Sequence, residues 1–362
     1  MLTRKFYIGA LLTGLTLAAS CGEDGPAARS DCDSSVERSR VLFTALSTAS
    51  ASLNRSVAQA EALSAAVNEL GASTTDEHLE AAREELRRAR IAMAQSGPYL
   101  LLYDEAGATL GAVGEFPVDT GAVLAYAREG SFDADAPADF DRGYAAIEFL
   151  LYGAEPTSAL QHLQSNPERV VLAKAYADDA ARRWRSVQTQ WDASTREAIL
   201  GTEGTAAGSG LSLLINSLSK HYEDTRRDRL GIPFGVTLGF PSASALEAPY
   251  SGRSLELLGT HLVASQLAFG KTSESRSLAD YTAGLNNAEA GALAADIEAQ
   301  YTAALEALTA IESPLARAIE DERGAVQVLY NAVSRQVINL KTDLPSVTCV
   351  SITYVDNPSD SD

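Results

Sequence analysis

DRGYAAIEFLLYG, residues 141–153, sets a single carboxylate, Glu148, inside an apolar run of Ala145, Ala146, Ile147, Phe149, Leu150 and Leu151. An unpaired charge buried there would cost on the order of several kcal/mol, so the segment calls for a partner. Read as a helix, it places Tyr144, Glu148 and Tyr152 at i, i+4 and i+8 on one face, where a phenol could donate to the carboxylate from either side. Gly143 and Gly153 bracket the segment and allow close backbone approach or a helix stop.

Working outward, the same helical period continues on both sides. From Ser35 to Leu70, Val36, Leu42, Phe43, Leu46, Leu53, Val57, Leu63 and Val67 recur at helical spacing up to Gly71. Thr74 with Glu77 reads as a capping box opening a second helix to about Met93. Residues 96–139 are irregular, rich in glycine, and carry one short helix around Gly121 to Arg128 before the acidic stretch 131–141. So long a connection in a compact bundle is uncommon and often functional. Beyond the Glu148 segment, Asn166-Pro167 starts a helix expected to reach about Leu200, with Trp184 and Trp191 on one face as core. GTEGTAAGSG (201–210) reads as a domain boundary. Further helices are expected over Leu211–Arg229, Ser254–Phe269, Asn287–Ile311 and Leu315–Lys341. The fold class is therefore all-α, two helical bundles of about four main helices each, packed side by side, over residues 34–200 and 211–343. Residues 344–362 read as an extended, partly disordered tail.

The 362 residues are 46% hydrophobic, enough for a sizeable core, and carry a formal net charge of −19. That balance argues against nucleic acid and anionic headgroups as partners. Arg4 and Lys5, the apolar run from Phe6 to Ala18, and Ala18-Ala19-Ser20-Cys21 form a targeting segment close to a lipobox, with Cys21 as the lipidation site. An ordinary secretory signal is the alternative; the run is too short for a bilayer span of ~20 residues. Residues 22–33 read as a flexible tether, so the membrane is a partner through a lipid anchor and the chain is expected in the cell envelope, periplasmic or outer-membrane attached. Cys32 and Cys349 flank the helical body, and an exported context favours a disulfide between them over two free thiols.

The motif resembles the imelysin family of bacterial periplasmic and surface proteins, whose signature is Gly-x-His-x-x-Glu followed by an apolar run and a second glycine. Gly143, Glu148 and IEFLLYG match; Ala145 stands where the family has histidine. RLGIPFG (229–235), APYSGRSLELL (248–258) and FGK (269–271) are similar to further family segments, so the resemblance spans roughly residues 34–343. It implies two helical bundles with the motif near their interface, in a group classed with metallopeptidases and linked to iron uptake. Function does not follow from fold alone.

With Ala145 neither ligand nor base, Glu148 is the one metal-ligand candidate left in the motif, and a divalent or ferric cation must find its other ligands elsewhere. His221, Glu223 and Asp224 in KHYED read as a solvated face rather than a metal site. Ser254 reads as an N-cap rather than a nucleophile. Arg142, Gly143, Tyr144, Glu148, Tyr250, Ser251 and Ser254 are the candidate ligand pocket, with Arg142 or Arg227 as counter-charge to Glu148. The alternative is that Glu148 merely pairs with such an arginine to dock the bundles. The functional expectation is an envelope binding or accessory protein for metal acquisition, with a metal-dependent peptidase and a structural scaffold as the competing readings.

Overall fold

The apolar period of the first segment produces one long helix, α1 (Ser35–Ala72), which buries Leu42, Leu46, Leu53, Leu63, Val67 and Leu70 in a single stripe. Phe43, counted with that stripe in the sequence, instead points outward at 65% exposure. This is a computed structural model, and it describes residues 35–354 apart from 105–106, 108, 137–139, 154–158 and 271–276. The signal, Cys21, the tether, Cys32 and the last eight residues lie outside the described residues. Cys349 is disulfide-bonded; its expected partner Cys32 falls among the residues not described.

α2 (Asp76–Ser96) returns along α1 and is capped by Thr75, which accepts from the His78 N–H. Thr74, the expected cap, donates back to the Leu70 carbonyl instead. Then follow α3 (Thr120–Glu129), the motif helix α4 (Gly143–Tyr152), α5 (Ala159–Ser165), α6 (Pro167–Gln190) and α7 (Ala193–Leu200). The single helix expected over 167–200 is broken at Trp191, because Asp192 takes the Thr195 N–H and starts α7 as its cap. Both tryptophans are core, as expected.

After the turns at 201–209 come α8 (Gly210–Asp224), a π-helical turn (Thr225–Gly231), α9 (Ser254–Phe269), α10 (Leu278–Ala283) and α11 (Ala290–Thr309). The last expected helix is also divided. Glu322 folds its carboxylate onto the Glu312 and Ser313 N–H groups, separating α12 (Leu315–Asp321) from α13 (Arg323–Ile338). A second π-helical turn (Asn339–Asp343) and α14 (Leu344–Thr348) correct the expectation of an extended tail at 344–348.

The described residues are helical with no strand, which is the all-α class expected. No described helix is long and apolar enough to cross a membrane. α1 packs on α2 and α6, α4 on α6 and α2, α11 on α13, and α9 on α2, α8 and α11. One contiguous apolar core runs through all of them. The consequence for the site is that α2 touches both α4 and α9, so chemistry from distant parts of the chain meets along α2.

Candidate functional site

α4 can begin where it does only because residue 143 is glycine. Its φ is +75°, and a Cβ there would lie 2.4 Å from the Ala112 carbonyl oxygen and 2.6 Å from that of Val113. The helix is buried from Gly143 to Leu151, and Glu148 is 0% exposed.

Three donors converge on that carboxylate. Glu148 Oε1 accepts from the Ser251 N–H at 2.8 Å and from the Ser251 hydroxyl, and Oε2 accepts from Arg90 Nη1 at 3.3 Å. Arg90 comes from α2 and its side chain is 7% exposed. Ser251 is presented by the 248–254 turn, which is closed by Ala248 N–H donating to Ser254 Oγ at 3.1 Å. Ser254 therefore ties the turn together and is not the cap expected of it; α9 has no side-chain cap. The structure thus brings Glu148, Ser251 and Ser254 together as the sequence suggested, and supplies an arginine the sequence did not.

The other expected partners are engaged elsewhere. Tyr144 turns toward α6, where its hydroxyl accepts from Trp184 Nε1 at 3.1 Å. Tyr152 lies under the Arg83 guanidinium, 4.3 Å from its ring centre. Tyr250 packs its ring on Phe149, with centroids 5.2 Å apart. Arg142 pairs with Asp141 at 2.8 Å, donates to the Asp133 and Ala136 carbonyls, and sits over Phe132, so it organises the acidic stretch rather than Glu148. Arg227 pairs with Asp224 and Asp228. Neither arginine named from the sequence is the counter-charge.

A second buried polar cluster adjoins the first. Glu247 Oε2 lies 3.1 Å from Arg229 Nε and 3.2 Å from His261 Nε2, and the same two nitrogens are 2.8 Å apart. His221 stacks beside His261 with ring centroids 5.1 Å apart, and the two residues are 6% and 3% exposed. KHYED is therefore no solvated face: His221 is buried, and Glu223, also buried, holds Lys341 at 3.0 Å and the Tyr354 hydroxyl at 3.3 Å. Burial pulls the Glu247 carboxyl upward, but the Arg229 guanidinium beside it outweighs burial and holds the group well below the ordinary carboxylate range. The positive charge of Arg90 lowers it further.

Burial, foremost, lowers both histidines; the Arg229 charge adds to it for His261, and His261 and Arg229 add to it for His221. Both stay neutral at pH 7. Unfolded, they would titrate near the ordinary 6.5. With folded values depressed, their contribution to stability is complete above 6.5 and is lost as the pH falls below it toward the folded values. Unfolding free energies from urea titrations between pH 7.5 and 5 should fall with a slope of up to about 1.4 kcal/mol per pH unit for each histidine. His261→Gln should flatten that slope; an equally steep slope in the variant would contradict the assignment.

The donor set does not fit the metal that the motif implies in histidine-bearing relatives. Residue 145 is a buried alanine, both Glu148 oxygens are occupied by protein donors, and among the described residues no three His, Cys, Asp or Glu side chains converge.

Signals for the overlooked residues were present in the sequence. Arg90 continues the buried stripe Leu79, Leu86 of α2, and His261 lies among Leu257, Leu258 and Leu262 of α9; both are polar residues in apolar stripes, the feature that singled out Glu148.

Compared with known proteins, the chain matches the family model described as Imelysin over residues 49–340. It is similar to the crystal structure of a protein described as an iron-regulated protein A precursor from Parabacteroides distasonis ATCC 8503, with TM-score 0.71 and 17% identity, covering 87% of this chain and 96% of that one. It is also similar to an imelysin-like protein from Psychrobacter arcticum 273-4, with TM-score 0.69 and 14% identity, covering 89% and 98%. At these identities the likeness establishes the fold. No curated protein matches the chain.

Proposed function

We propose that this chain, which belongs to the imelysin family, is a cell-envelope binding or accessory protein associated with metal (iron) acquisition, held to the membrane by a lipid on Cys21, and not a peptidase. The observation that carries this reading is the state of Glu148. The carboxylate accepts twice from Ser251 on Oε1 and from Arg90 on Oε2, so what it has left to offer lies on Oε2 beside a guanidinium that repels a metal cation, and freeing it would break the contact between α2, α4 and the 248–254 turn. The association with iron is supported by the name of the Parabacteroides neighbour, and the envelope location by the lipobox-like LAASC at residues 17–21.

The test is hydrolysis of an unfolded protein substrate by the full chain, with zinc or manganese added and then removed by a chelator. The expected result is no metal-dependent cleavage in the native chain. Chelator-sensitive cleavage that disappears in Glu148→Gln would sink the binding-protein reading and establish the peptidase.

A further inference from the structure

Three of the ten large apolar side chains exposed among the described residues sit within one five-residue tip. Val236, Leu238 and Phe240, in the GVTLGFP turn at 235–241, are 52%, 43% and 62% accessible, and Thr237 and Gly239 between them are exposed as well. We propose that this tip is a second, non-covalent membrane contact that seats the three side chains in the interface of a zwitterionic bilayer. The inference rests on the reading of the chain as a lipid-anchored envelope protein and adds to it the surface that meets the membrane.

The backbone holds the tip in place. Gly235 has a φ of +94°, and a Cβ there would lie 2.4 Å from the Phe240 carbonyl carbon, so only glycine lets the turn close on itself. The Gly239 N–H donates to the Gly235 carbonyl and the Ser242 N–H to that of Pro233, both at 2.8 Å. Below the turn the core is already shut, with Phe234 buried and the Arg323 guanidinium 5.0 Å over its ring. The apolar side chains are thus presented outward by a preformed tip, which loses little conformational freedom when it docks.

Area, charge and reach favour a bilayer over a protein partner. A stable protein interface takes roughly 800 Å² and 20–30 residues from each partner, far more than a five-residue tip offers. A bilayer interface asks for no complementary shape and gains from each apolar side chain that enters it. Residues 230–246 carry no charged side chain in a chain of net charge −19, so the turn can approach lipid phosphates that repel the acidic body as a whole. The start of α8 adjoins the first turns of α1, since a Cβ on Gly210 would lie 3.0 Å from Leu42 Cδ1. From there α8 and the turns up to Phe234 carry the chain roughly 35 Å. Residues 22–34, between Cys21 and α1, can span at most about 45 Å, so a lipid on Cys21 and the tip can meet one bilayer together.

A reporter at the tip tests this. The full chain carrying Phe240→Trp is reconstituted through its own lipid into phosphatidylcholine vesicles with brominated acyl chains; Trp184 and Trp191 are core residues and give a constant background. The introduced indole should shift to the blue and be quenched at least about threefold. Phe43→Trp is the control, because Phe43 is similarly exposed and far nearer to Cys21 in sequence; its indole should stay unquenched. An unquenched indole at position 240, or equal quenching at position 43, overturns the proposal. So does a dimer of the native chain in detergent solution that Phe240→Ser disperses, which would give the turn to a second copy. The mass of the N-terminal peptide reads the lipid itself. A chain without it sinks the anchored reading and this inference together, whereas a lipidated chain with an unquenched tip sinks the inference alone.

Discussion

Glu148→Gln should lower the stability of the chain by about 3–5 kcal/mol, the usual cost of removing one partner from a buried ion pair. The substitution keeps the shape of the side chain and leaves a carbonyl to accept from the Ser251 N–H, so packing is not the cause. What is lost is the charge opposite Arg90, whose side chain is 7% exposed and whose Nε has no hydrogen-bond partner among the described residues. Adding Arg90→Met to Glu148→Gln should recover part of the loss, because two apolar or neutral groups no longer leave a buried charge uncompensated. Urea unfolding of the two single variants and the double variant measures this directly. A Glu148→Gln variant within about 0.5 kcal/mol of the native chain would mean that the carboxylate is not a clamp and is free for a ligand.

Gly143→Ala should cost a comparable amount, on the order of 3 kcal/mol, by another mechanism. The alanine must adopt a φ of +75°, which L residues disfavour by roughly 1–2 kcal/mol, and its methyl meets two backbone carbonyl oxygens that cannot rotate away. Gly130 provides the control. It caps α3 at a φ of +62° with nothing within 4 Å of a Cβ, so Gly130→Ala should show the conformational cost of roughly 1 kcal/mol alone. Unfolding midpoints that fall equally in both variants would show that the close contact between α4 and the short helix Gly111–Gly114 contributes nothing.

The helices were legible in the sequence wherever an apolar stripe ran without interruption, as in α1, α2 and α9. Their breaks were not. At Trp191 and Glu322 the apolar spacing continues, and the interruption comes from Asp192 and Glu322 capturing nearby N–H groups, a local competition that periodicity does not register. The site divides in the same way. Glu148 was conspicuous as a charge in an apolar run, and the resemblance of APYSG to a family segment placed Ser251 near it. Sequence proximity to the motif segments points to Arg142 and Arg227 as the counter-charge. The counter-charge comes from Arg90, 58 residues upstream, because α2 lies between α4 and α9 in space. Tyr144 has the right helical phase to reach Glu148, but Trp184 offers a donor on the α6 side and its hydroxyl goes there. The charged neighbours of His221 make it look like surface in the sequence; only the packing of α8 against α9 shows that residue 221 faces inward while residue 220 does not.

The account turns on Glu148 being committed to Ser251 and Arg90, and titration of the full native chain with zinc and with ferrous iron by calorimetry tests that most directly. The expected result is no saturable uptake that depends on Glu148, so that native and Glu148→Gln chains give the same heats. Stoichiometric binding by the native chain that is lost in Glu148→Gln would contradict it.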